Sequence, residues 1–194
     1  MNKKKYVSDR IFKGYGIELR PVFPSDLPSV RRWRNTPMIS QRMLDSSYIT
    51  PHRQRLWYEQ IRDRDDQAHW VVWCKGVRTG YVNVKGEGPL DLQVQVDVGL
   101  YVGDSPVRHG LLGYAMAMMQ LAIIFEHLTV LRVQTVIQDD YRVRRFNQQL
   151  GYRDEGCKGC KDGFIRIAMD LFEYKTTKKK FARYFDDDQC RLIG

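Results

Sequence analysis

No apolar run in this 194-residue chain approaches the ~20 residues needed to cross a bilayer. The opening MNKKKYVSDR is basic but has no apolar core of a signal peptide, so a cytoplasmic protein without a membrane partner is expected. Cysteine is scarce, at four residues. Cys157-Lys-Gly-Cys160 has the spacing of half a zinc site, but no second CxxC and no histidine pair completes four ligands. A turn around Gly159 accounts for the spacing equally well, and no metal is expected. Cys74 lies in an apolar, strand-like run and reads as a small buried hydrophobe. Internal repeats and low-complexity linkers are lacking, which leaves one domain. No nucleic-acid recognition motif appears either, although the formal net charge is +9. Such a surplus suits an anionic partner: RNA, a membrane surface or a small phosphorylated ligand. Part of it sits in the terminal clusters Lys3-Lys4-Lys5 and Lys178-Lys179-Lys180, which usually are solvated.

What is present is globular: 43% hydrophobic and 28% charged residues are enough to build a core. Residues 17–21 read as a first strand. A helix follows, capped by Ser25, with Pro28 in its first turn and its end near Trp33 to Asn35. Thr50-Pro51 starts a second helix, with Leu56, Trp57 and Ile61 as its apolar face. Residues 69–74 and 77–84 form a hairpin around Lys75-Gly76. Between Leu92 and Val102 aliphatic and polar residues alternate, a strand with Asp97 on its polar face. Gly99 within it implies a bulge or a close backbone approach. Residues 111–127 are an almost wholly apolar, buried helix. A strand (131–137), a helix (141–150) ended by Gly151, and a hairpin of two strands (152–155 and 164–171) complete an α+β fold with a mixed sheet.

The link between the clearest strand and the apolar helix contains Arg108-His109-Gly110-Leu111-Leu112-Gly113. A glycine-containing turn leading into a helix N-terminus offers unpartnered N–H groups and a positive dipole end to an anion, and Arg108 adds a charged donor. A plain tight turn fits the same features. The wider segment resembles the acetyl-CoA motif of the GNAT N-acetyltransferases. It has an acidic residue before an apolar-Gly-apolar strand end (Asp97-Val98-Gly99-Leu100-Tyr101-Val102), then an Arg-x-x-Gly-type loop (Arg108 to Gly113). Further on come Asp139-Asp140-Tyr141 and Phe146-Asn147-Gln148-Gln149-Leu150-Gly151-Tyr152, and the opening Ile17-Glu-Leu-Arg-Pro21 is also similar to the family. Leu111 stands where the family prefers glycine, Asp140 where it has asparagine, and Asn147 replaces the tyrosine that often protonates the leaving thiolate.

That resemblance implies a mostly antiparallel mixed sheet, splayed at its centre and flanked by helices, over residues 14–173. Residues 1–13 and 174–194 would be extensions, the latter surface-lying, packed on the domain or on a second copy in a homodimer. It implies acetyl-CoA as cofactor, held by Leu100, Tyr101 and Val102, by the loop Arg108, His109, Gly110, Leu111, Leu112 and Gly113, and by Tyr114, Asp140 and Asn147. Asp97 would be the general base through water, or else a surface carboxylate beside Gln93 and Gln95. Arg34, Asn35, Met43 and Trp57 resemble the acceptor region of the branch that acetylates amino-sugars on nucleotide carriers; that branch commonly has a histidine where Gln54 stands, and His52, two residues earlier, is the candidate here. Met43 and Trp57 would wall a ring and Arg34 and Arg42 meet a diphosphate; Met43 and Trp57 could equally be core. The expected activity is acetyl transfer to the amine of a nucleotide-linked amino-sugar, a small-molecule amine. A protein N-terminal or ribosomal-protein acetyltransferase, a non-catalytic acyl-CoA-binding module and a nucleic-acid-binding protein are the other readings.

Overall fold

The computed structural model describes residues 6–103, 110–156, 159–185 and 189–193. One nine-stranded sheet runs through it: β1 (Ile11–Gly14), β2 (Ile17–Pro21), β3 (Gln67–Cys74), β4 (Val77–Lys85), β5 (Gln95–Val102), β6 (Arg132–Gln138), β7 (Arg153–Gly156), β8 (Phe164–Asp170) and β9 (Arg191–Ile193). Their spatial order is β7-β8-β6-β5-β4-β3-β2-β1-β9, with every pair antiparallel except β5–β6. The helices are α1 (Leu27–Arg34), α2 (Pro37–Ser40), α3 (Pro51–Ile61), α4 (Leu112–His127), α5 (Tyr141–Gln149) and α6 (Leu171–Phe181). The fold is α+β with a mixed sheet, as the sequence leads one to expect.

Local chemistry explains most elements. Lys75 (φ 50°) and Gly76 (φ 76°) make a tight turn of left-handed residues that matches the twist of β3 and β4. Thr50 caps α3 by accepting from the Arg53 N–H, with Pro51 at the first helical position. The other cap differs from expectation: a 3-10 turn over Pro24–Asp26 precedes α1, and Asp26, not Ser25, takes the Phe23 N–H. Asp26 is drawn inward because Arg78 of β4 donates to it at 2.6 Å. On α3 the inward residues are Gln54 and Trp57, whereas Leu56 is exposed.

Two segments expected to be extensions join the sheet. β1 begins at Ile11, and β9 pairs with it to form the outer edge. Between β8 and β9, α6 buries Tyr174, Thr177 and Phe181, so the aromatics of the tail pack on the domain itself. The β5 strand starts later than its alternation implies. Leu92 (75% exposed) lies in a 3-10 turn and Val94 is exposed, since Val94 lies before the paired residues of β5 and β6 begin.

The core has two parts. The larger packs α4 against the central sheet, with Met116, Met118, Met119, Leu121, Ile123 and Ile124 essentially inaccessible. The smaller lies on the other side, where Trp33, Val30 and Leu27 of α1 meet Val71 and Tyr81. No helix among the described residues is long and apolar enough to cross a membrane.

Candidate functional site

The expected bulge at Gly99 is not where the sheet opens. β5 keeps an unbroken register with β4 from Gly80↔Val102 to Lys85↔Asp97, so that side is regular. The break is on the other side, because β5 pairs with β6 only from Gln95 to Asp97. Beyond Asp97 the two strands part. The opened edges, Val98 to Val102 and Thr135 to Gln138, line a cleft of about 810 Å³. Gln120, buried on the otherwise apolar α4, donates to the carbonyls of Asn83 and Gly99 and pins the helix beneath the parting.

One end of the cleft lies between β6 and α5, lined by Val143, Phe146 and Asn147. Leu100, Tyr101, Val102 and Asn147 line the same cleft, with backbone of β5 left unpaired toward β6. Asn147 donates to the Val143 carbonyl at 2.9 Å. At Gly113, in the first turn of α4, an added Cβ would sit 3.4 Å from the Phe146 ring. The helix end and α5 therefore approach within ordinary contact. Gly110 is exposed, Leu111 half-buried and Leu112 buried just before and at the start of α4. Arg108 and His109 lie outside the described residues, as does Cys157.

Two residues assigned to the cofactor have structural partners instead. Asp140 is the N-cap of α5, accepting from the N–H groups of Arg142 and Val143. Arg144, one turn further along α5, bridges Asp139 and Asp154. Tyr114 packs between Phe146 and Phe181 and donates to Gln149. Neither lines the cleft.

The other end lies under α1, α2 and α3. Arg34, Met43 and Trp57 line it together with Met38, Ile39, Arg42, Asp45, Ile49, Arg53 and Gln54. Asn35 does not line it but clamps Ile49, donating to its carbonyl at 2.9 Å and accepting its N–H at 2.8 Å. This holds the 41–50 segment, and so Ile49, against the cleft. His52 is exposed on the outer side of α3; one turn of helix geometry carries Gln54 and Trp57 inward instead.

Charge in the cleft is one-sided. Its described lining carries Arg34, Arg42, Arg53, Lys85 and Arg142 against the single carboxylate Asp45. The 41–50 segment holds two of them, Arg34 donating to the Asp45 carbonyl and Arg53 to Ser47 Oγ and the Tyr48 carbonyl, while Arg42 donates to the Met38 carbonyl of α2. Arg53 also lies 3.7 Å from the Asp45 carboxylate. Arg34 Nη1 is buried with no hydrogen-bond partner. Burial lowers the Arg34 pKa, opposed by Tyr101 and Asp45. A buried, unanswered guanidinium donor costs about 1–3 kcal/mol, which a ligand oxygen would return.

Asp97 occupies the same sheet face as Gly99 and Tyr101, at the outer end of the row and outside the cleft lining. Its side chain is exposed at the surface, yet partial removal from water raises its pKa; a hydrogen bond with Gln134 and the charges of Arg166 and Lys85 oppose this.

Sequence reasoning missed the polar group in the middle of the cleft wall. Tyr81 stacks on Tyr101 with centroids 5.0 Å apart, and Asn83 sits opposite Gly99. Tyr81 meets the buried His69 Nδ1 through its hydroxyl, while His69 Nε2 lies 2.8 Å from Gln67 Oε1. The signal was the alternation of Tyr81, Asn83 and Lys85, which gains meaning only once register sets it beside Tyr101, Gly99 and Asp97. No group of acidic, histidine and cysteine residues among the described ones could hold a metal ion.

No family model matches the sequence, and no curated protein matches it significantly. Solved structures do. FdhC, described as a nucleotide-linked sugar GNAT, superposes with a TM-score of 0.71 at 16% identity, over 89% of this chain and 97% of its own. The aminoglycoside acetyltransferase AAC(6')-Ib in complex with coenzyme A gives 0.68 at 15% identity, over 84% and 99% respectively. The same enzyme with coenzyme A and kanamycin gives 0.68 at 16% identity, over 84% and 99%. The overall arrangement of sheet and helices is thus shared, and this chain has the fold of the GNAT acetyltransferases.

Proposed function

We propose that the protein is an acetyl-CoA-dependent N-acetyltransferase whose acceptor is an amine carried on a phosphorylated molecule, most simply an amino-sugar on a nucleotide carrier. Acetyl-CoA would supply the activated acetyl thioester. The residues present fit it: the unpaired edge of β5 at Leu100 to Val102 suits a pantetheine chain, and Gly113 leaves the start of α4 free of a side chain. Asn147 stands at the end of the cleft beside this edge.

The observation that carries the acceptor reading is the charge of the cleft, five cations against one carboxylate among the described lining residues, together with the unanswered Nη1 of Arg34. An aminoglycoside carries several positive charges, so the described lining would repel it. A peptide N-terminus would likewise gain little from it. A diphosphate would be drawn in and would satisfy Arg34, with Arg42 and Arg53 in support. Met43 and Trp57 then offer an apolar wall to a ring. Asp97, at the outer end of the same strand face and outside the cleft lining, would take the amine's proton through water, and the burial that raises its pKa makes it a stronger base.

Thermal unfolding tests this with acetyl-CoA, inorganic pyrophosphate, UDP and dTDP added separately. Binding to the native state must raise the transition temperature. Shifts with acetyl-CoA and with either nucleotide are expected. A shift with acetyl-CoA but none with pyrophosphate or the nucleotides rejects the phosphorylated acceptor. No shift with acetyl-CoA well above micromolar concentrations rejects the activity.

A further inference from the structure

The group beneath the acceptor end of the cleft is unusual for a sheet interior. His69 is 5% exposed and Tyr81 6%, and the Trp57 ring stands edge-on over the imidazole with centroids 5.4 Å apart. Both ring nitrogens of His69 are engaged. With Gln67 Oε1 accepting from Nε2–H, the imidazole is the tautomer whose Nδ1 is bare, and the Tyr81 hydroxyl must donate to it. Burial holds His69 neutral, with its pKa pushed down to about 3, so it remains an acceptor at any working pH. Burial also raises the pKa of Tyr81, which keeps the phenol protonated.

The hydrogen of Tyr81 is therefore committed inward. Its oxygen retains lone pairs; one is approached by Asn83 Nδ2 at 3.4 Å, and one is left. Tyr81 lines the cleft from β4, opposite Tyr101 of β5, in the same lining as Arg34, Arg42 and Arg53. A hydroxyl held in this way can receive an N–H but cannot give a proton.

We propose that Tyr81 receives a hydrogen bond from the acceptor amine and orients it, and that His69 is the positioning residue that restricts Tyr81 to this role. The inference rests on the amine-acceptor reading above. The amine lone pair is thereby turned toward the parted edge of β5. The C–N bond forms, the thioester C–S bond breaks, and the proton lost by nitrogen replaces the acyl group on sulfur. Tyr81 keeps its own proton throughout, so it is an orienting group and not the base.

The test joins tautomer spectroscopy to kinetics. Imidazole 15N–1H correlation spectra of the full chain should show His69 as the neutral Nε2–H tautomer from pH 5 to 8; the Nδ1–H form would overturn the inference. Steady-state acetylation of UDP- or dTDP-linked 4-amino-sugars should lose about 100-fold in kcat in Tyr81→Phe, with the KM for acetyl-CoA unchanged. His69→Leu should lose as much. His69→Asn, which places an amide oxygen near the former Nδ1, should recover a large part of it; a merely structural histidine would show the same loss in both variants. Wild-type protein that acetylates none of these amines overturns the acceptor reading and this inference with it. Active wild-type protein whose Tyr81→Phe variant keeps its kcat overturns this inference alone.

Discussion

The two ends of the cleft are built in different ways. Toward α4 and α5 the wall is largely backbone and aliphatic: the unpaired edge of β5, the strand β6 parting from it, and a helix buried almost all round. Toward α1, α2 and α3 the wall is made of side chains, above all arginines: Arg34 and Arg53 held by acceptors of the 41–50 segment, and Arg42 by the Met38 carbonyl of α2. A site made of backbone can tolerate changes of side chain, because N–H and C=O groups are the same in every residue. One made of arginines depends on each identity. On the proposed function, the first end would carry what is shared across a fold, and the second would carry selectivity.

Substitutions can break this contrast. The largest effect is expected at Met118, fully buried under the sheet. Met118→Ala should cost about 2–5 kcal/mol of stability in urea unfolding. Arg34→Met should do the opposite, lowering pyrophosphate and UDP affinity by about 1.5–3 kcal/mol in calorimetry. Its unfolding midpoint should hold or rise, since a buried unpaired donor is removed; a fall comparable to that of Met118→Ala would show that Arg34 is structural.

His69 separates the two ends by pH. Its folded pKa is depressed to about 3, so the unfolded chain binds the extra proton, and stability is lost as pH falls from the unfolded value near 6.5 toward the folded one. Between pH 7 and pH 5 this amounts to about 2 kcal/mol. His69→Asn should remove that portion of the slope in paired urea titrations. At Asp97 the sign is reversed in origin: its folded pKa is raised, so its charged form weighs against the fold above the unfolded value. Asp97→Asn should be slightly the more stable at pH 7, with the difference closing as pH falls toward 4. Its turnover should drop far more than its acetyl-CoA affinity; equal turnover would remove Asp97 as base.

Much of the first end was legible in the chain. Alternation from Val96 to Val102, the glycines around the start of α4 and the apolar length of that helix are local signals. Lys75-Gly76 and Thr50-Pro51 marked their turn and cap for the same reason. The second end was half legible. Arg34, Met43 and Trp57 do line the cleft, but the neighbours His52 and Asn35 do not. Which residues of a short irregular stretch face inward depends on what it packs against. Asp140 illustrates another limit: a carboxylate before a helix caps it, and that local use accounts for its placement.

By itself the sequence determined the order of most elements from β2 to β8, the mixed sheet, the surplus of positive charge and the strand–turn–helix unit at the centre. Each follows from interactions among residues close along the chain, through periodicity, capping and turn chemistry. Only the tertiary structure decided that β5 and β6 part after Asp97, that the ends of the chain enter the sheet, and that Tyr81, His69 and Asn83 meet beside Tyr101 and Gly99. Strand register sets those meetings, and register is an outcome of packing the whole sheet against α4 on one face and α1 on the other.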